Sequence, residues 1–84
     1  MEGVVHSMNP RRGMVAILTE SAGFTIIEML SQDDIEIGEE MSWEDDTGLG
    51  SETYTNVTKG ERFDVFVQNH WVSSKQLEQQ LLAN

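Results

Sequence analysis

The sequence predicts an all-β fold: a small antiparallel β-barrel of five or six strands, finished by one short C-terminal helix. Three observations carry that prediction. The opening stretch, Met1 to Ile17, reads as strand, turn, strand. From there to Gln68, short apolar runs alternate with period two and are separated by Gly, Asp, Ser and Thr, without a helical period. Only after Ser73 does the spacing change, to leucines at positions 77 and 81.

Gly3 to Met8 is the first predicted strand. The turn Asn9-Pro10-Arg11-Arg12-Gly13 follows. Pro10 fixes φ and has no N–H to give to a ladder, while Asn9 and Gly13 tolerate positive φ. Met14 to Thr19 is the second strand. Glu20 to Gly23 reads as a turn, and Phe24 to Leu30 as a third strand. Phe24, Ile26 and Glu28 point one way and Thr25, Ile27 and Met29 the other, so both faces are expected to be covered at least in part.

Ser31 to Glu36 is an acidic connection; Ile35 within it and Ile37 just after it sit two apart and are expected to share a buried face. Gly38 turns the chain into a fourth strand, Glu40 to Glu44, where Met41 and Trp43 alternate with polar residues. Asp45 to Ser51 is loop, with Leu49 its one residue to bury. Glu52 to Thr58 is the fifth strand, with Tyr54 and Asn56 on one face and Thr55 and Val57 on the other. Lys59-Gly60-Glu61 is a tight connection. Phe63 to Gln68 then either prolongs the fifth strand through a bulge at Gly60 or returns as a sixth strand; the hairpin is preferred. Phe63, Val65 and Val67 face one side of it, Asp64, Phe66 and Gln68 the other.

The helix has clear start chemistry. Ser73 fits an N-cap, Gln76 completes a capping box, and Val72 with Leu77 makes a hydrophobic staple. A helix this short is marginal alone in water. Its leucines, Leu77, Leu81 and Leu82, must therefore dock, and burying each stabilises by about 1.5–3 kcal/mol. The domain division is residues 1–72 for the barrel and 73–84 for the helix, packed on the barrel or on a partner.

With 84 residues the chain makes one domain, and such a domain buries only about 60% of its unfolded surface. It has no cysteine, so neither a disulfide nor a thiolate site is available, and a cytoplasmic location is the expectation. The apolar runs are too short to span a bilayer, and the N-terminus lacks a charged region followed by an apolar one, so neither a membrane span nor a signal peptide is expected. Fifteen acidic residues against five basic ones give a net charge of −10. Nucleic-acid binding relies on Lys and Arg displacing condensed counterions, so this chain is repelled by phosphates at long range. The same acidity favours solubility.

The opening hairpin resembles a known family. Gly3-x-Val5-x-x-x-Asn9-x-x-x-Gly13-x-x-x-Ile17 is similar to the start of cold-shock domains, five-stranded OB-fold barrels that bind single-stranded nucleic acid. Later, Gly38-x-x-Met41-x-Trp43 resembles the family's fourth-strand start and Thr55-Asn56-Val57 its fifth strand, so the resemblance covers residues 1–57. It implies an OB-like barrel. The family's stacking aromatics are missing. His6, Ser7 and Met8 stand where it has Lys, Trp and Phe, and Arg12-Gly13-Met14-Val15-Ala16 replaces its Lys-Gly-Phe-Gly-Phe motif. Each lost base-stacking ring removes about 1–3 kcal/mol of binding.

Candidate binding residues are few. Arg11 and Arg12 sit side by side where the family's turn meets nucleic acid, and suit a phosphate or an acidic partner; the competing reading is a polar turn that offsets nearby acids. Met14 offers a soft contact surface or else belongs to the core. Phe66, on the same side of its strand as Asp64 and Gln68, is a candidate ring. His70 and Trp71, after Gln68-Asn69, form a possible recognition patch. Against that stands a preferred reading in which Trp71 seats the helix and His70 is simply exposed.

No catalytic, cofactor or metal-ligating set is expected. The chain has no Gly-x-Ser-x-Gly and no phosphate loop, its acidic clusters miss the calcium-loop pattern, and its two histidines, His6 and His70, lie far apart. The expected role is a non-enzymatic OB-like module for a protein partner, with single-stranded RNA or DNA binding as the alternative. A weak homodimer through the edge of strand Phe63 to Gln68 is a third possibility, otherwise a monomer.

Overall fold

The computed structural model describes residues 1–20, 23–30, 34–44 and 48–82. Outside them lie parts of three predicted connections (Ser21 and Ala22, Ser31 to Asp33, Asp45 to Thr47), the side chain of Leu82, and the predicted helix end at Ala83 and Asn84. Six strands and a helix follow in order: β1 (Glu2–Asn9), β2 (Met14–Thr19), β3 (Phe24–Met29), β4 (Glu40–Ser42), β5 (Gly50–Asn56), β6 (Glu61–Val72) and α1 (Ser74–Leu82).

The strands close into one barrel in the order β1-β2-β3-β6-β5-β4. Two antiparallel meanders, β1-β2-β3 and β4-β5-β6, are joined at both seams by β1–β4 and β3–β6 pairing. The architecture is compatible with an OB-like fold. Residues 61–67 return on β5 as the predicted hairpin, from Asn56↔Glu61 to Gly50↔Val67. Closure leaves no edge at Phe63 to Gln68 for a second copy. Val65 to Val67 bond β5 on one side and β3 on the other, so this segment is not the free edge strand expected of it.

The turn after β1 forms as its residues require. Gly13 takes φ 68°, and its carbonyl accepts the Met29 N–H at 2.8 Å, tying the turn to the end of β3. Gly3 is needed for a different reason. A Cβ there would lie 2.5 Å from the Ile17 side chain and 2.8 Å from the Leu18 carbonyl oxygen, so only glycine lets β1 and β2 approach this closely.

Inward side chains fill the barrel with Val5, Val15, Ile17, Ile27, Val65 and Val67 around an aromatic stack. Trp43 and Tyr54 lie face to face with centroids 4.6 Å apart. Phe63 meets Tyr54 edge-on at 6.5 Å. Ile35 joins this core, but Ile37 is 66% exposed. The chain turns there: the Gly38 N–H reaches the Val5 carbonyl and the Glu39 N–H the Glu36 carbonyl, so residues two apart no longer share a face. Leu49 is also exposed, against expectation. It precedes the first residue of β5 paired to β6, and no ladder register holds it over the core.

A second core lies outside the barrel wall. Met14, Ala16, Phe24, Ile26 and Val72 form a seam beneath Leu77 and Leu81 of α1. The helix therefore docks on its own barrel, against β1, β2 and β3. Val72 and Leu77 both belong to this seam, as the predicted staple requires. At the far end, Asn9 Nδ2 donates to the Leu81 carbonyl at 3.0 Å and satisfies one of the last helical acceptors.

Candidate interaction surfaces

The outer face of β1-β2-β3 comes first, because the sequence singles it out. Strand β2 is buried on both sides. Val15 and Ile17 point into the barrel, while Met14 and Ala16 point out and are covered by α1. Met14 is buried and is not available to a partner while the helix is docked. The His6 ring meets Phe24 edge-on at 4.9 Å on the same side of the sheet.

The other candidate residues do not converge. Arg11 and Arg12 are exposed on the turn tied to Met29. Trp71 precedes Val72, which pairs with Phe24 at the opposite end of β3. Five strand steps separate those ends, about 17 Å at the usual rise per residue. Phe66 is 40% exposed between them, flanked by Glu28 of β3 and Ser51 of β5. Glu28 accepts a hydrogen bond from Gln68 Nε2 at 2.9 Å, which keeps a carboxylate beside the ring.

His70 and Trp71 exchange the places expected of them. His70 is buried, and Trp71 is 60% exposed. The cause is bulging in β6: Ile27 pairs with Val67, Ile26 with Asn69 and Phe24 with Val72, so β6 carries extra residues against β3. Gln68 and Asn69 are both exposed, and the alternation resumes out of phase. Val72, not Trp71, joins the seam that seats the helix. Trp71 has φ 56°, a left-handed conformation that costs a non-glycine residue about 1–2 kcal/mol.

His70 works as a clasp. Its Nε2 lies 2.8 Å from the Gly48 carbonyl, which can only accept, so the proton is assigned to Nε2. Nδ1 is then left to accept from the Thr25 hydroxyl at 2.9 Å. Both ring nitrogens are used in holding β6 to β3 and to the residues leading into β5.

A second polar cluster escaped sequence reasoning altogether. The buried Glu39 carboxylate accepts the Glu36 N–H at 2.7 Å and Asn56 Nδ2 at 3.1 Å. It also pairs with Lys59 Nζ at 3.4 Å. Lys59 Nζ donates to the Asp34 carbonyl, and Asn56 Oδ1 accepts the Lys59 N–H at 3.0 Å. Burial pushes the Glu39 pKa up, but the hydrogen bonds from Glu36, Asn56 and Lys59 and the lysine charge outweigh it, holding the carboxyl below its ordinary value. For Lys59, desolvation pulls down, while the Glu39 bond and the charges of Asp34, Glu39 and Glu36 raise its pKa above the usual range. The arrangement latches the chain before β4 to the β5–β6 turn.

One part of the outer wall stays open. Over β1, β2 and β4, beyond the reach of α1, a shallow cavity of about 280 Å³ is lined by Val4, Leu18 and Val57 with Glu2, Glu20 and Glu40. Leu18 has the same outward orientation as Met14 and Ala16 but no helix above it. Among the described residues no group of three or more His, Cys, Asp or Glu is placed to hold a metal ion, and no helix is long and apolar enough to cross a membrane.

Comparison with family models, with curated proteins and with solved structures finds no match.

Proposed function

We propose that this chain is a small, non-enzymatic binding module of OB-like, cold-shock-like architecture, acting in the cytoplasm on a protein partner rather than on nucleic acid. The observation that supports this reading is the seat of α1. The sheet face on which bases would stack carries Met14 and Ala16 instead of rings, and Leu77 and Leu81 occupy it in cis. A nucleic-acid strand would have to displace that helix, and beneath it would meet Met14, Ala16 and Ile26 with Phe24 and its neighbour His6 as the rings, edge-on to each other rather than laid out as a stacking platform. The chain's net charge of −10 opposes phosphate binding at long range.

The alternative, a single-strand binder on a relocated surface, draws on one feature: Trp71 is an exposed ring held in a strained backbone. The two readings separate in one titration. Labelled single-stranded oligonucleotides are added to the full chain at low salt while tryptophan emission is followed. Trp71 reports from the surface and Trp43 from the core. The protein-partner reading predicts no response. Binding at about micromolar concentration that weakens steeply with salt would replace it with the nucleic-acid reading.

A further inference from the structure

We infer that the open face of β1, β2 and β4 docks a basic, amphipathic segment of a partner protein, an assignment that rests on the protein-binding reading above. Its floor is apolar and solvent-facing: Val4, Leu18 and Val57 are 41%, 44% and 47% exposed. They come from three separate places in the chain yet line one depression. Its rim is of one sign. Glu2, Glu20 and Glu40 stand around the floor, and no Lys or Arg is among the lining residues.

That pairing of chemistries selects the occupant. Aliphatic side chains fill the floor, and lysines or arginines beside them meet the three carboxylates. A second copy of this chain on a two-fold axis would set glutamates against glutamates, which disfavours self-pairing here. An anionic membrane surface is repelled for the same reason. The mode of contact is also constrained. β1 is bonded to β2 on one side and to β4 on the other, so the partner cannot add a strand and must read the face through side chains.

The probe is a short synthetic peptide with leucines at helical i, i+3, i+4 spacing and lysines elsewhere, added to the ¹⁵N-labelled full chain; a glutamate-for-lysine counterpart is the control. The lysine peptide is expected to shift the amides of Val4, Leu18, Glu20, Glu40 and Val57 while the counterpart does not. Leu18→Lys is expected to weaken the lysine peptide by roughly tenfold or more, and Glu20→Lys with Glu40→Lys to shift preference toward the glutamate peptide. Both variants change exposed side chains, and unchanged amide spectra in the core would show that they fold. Shifts scattered over acidic residues generally, or centred on Phe66 and Trp71, or indifferent to these variants, overturn the assignment and leave the protein-binding reading standing. Sedimentation that grows with concentration, with shifts at Val4 and Leu18 and no peptide present, overturns it in favour of a second copy. Oligonucleotide binding in the earlier titration would remove the underlying reading itself.

Discussion

Met14, Ala16 and Leu18 project from the same side of one strand, and they meet different surroundings. Met14 and Ala16 lie in a seam under α1, whereas Leu18 is 44% exposed over an acid-rimmed hollow. Strand periodicity is identical for all three. What differs is the reach of the helix: its nine residues span about 13 Å, too little to cover the whole outer wall. Burial outside a barrel is thus decided by the element laid across it. The covered region stabilises the fold, and the uncovered region stays exposed to solvent.

The sharpest way to break this comparison is to place one charge in each region. Ala16→Asp puts a carboxylate into a fully buried seam, and should destabilise by roughly 3–5 kcal/mol, the range for an uncompensated buried charge. Leu18→Asp, on the same strand and side, should change stability by no more than about 1 kcal/mol. Urea unfolding of the two variants checks this; equal losses would contradict the comparison. Leu77→Ala removes the helix side of the seam and should cost roughly 2–3 kcal/mol. Its helical amides should exchange faster with solvent, while those of the β5–β6 hairpin should not.

The Glu39 latch, which belongs to neither region, gives a control with a pH signature. The folded-state pKa of Glu39 is depressed, so its contribution is present above the ordinary carboxylate pKa and is lost as pH falls through the lowered value. Glu39→Gln should therefore be less stable than the native chain near neutrality, with the gap closing in acid. A gap that stays constant as the medium is acidified would argue against the latch. The smallest expected effect is at Trp71. Trp71→Gly relieves the left-handed strain and should raise stability by about 1 kcal/mol, read as a higher urea midpoint. A loss instead would mean that the exposed ring packs more than its accessibility suggests.

Several of these features are legible in the sequence. Pro10 and Gly13 bracket the first turn, and β2 runs over Met14 to Thr19 as its alternation implied. The Phe63-Val65-Val67 face points inward in a true hairpin. Three things were not legible, each for a physical reason. Bulges in β6 shift its phase without leaving a glycine or proline to mark them, so the sequence alone places His70 and Trp71 in each other's surroundings. Leu77 and Leu81 fit any apolar surface, and nothing in their spacing distinguishes the chain's own barrel from a partner. The Glu39–Asn56–Lys59 contacts join residues up to twenty positions apart, in a segment that reads only as polar loop and strand end.

Helix α1 covers one stretch of the outer wall and leaves the neighbouring stretch open. Paramagnetic broadening of methyl signals by a chelate dissolved in the solvent tests it directly. Ala16 and Ile26 should stay sharp while Val4, Leu18 and Val57 broaden strongly. Ala16 broadening as much as Leu18 would contradict it.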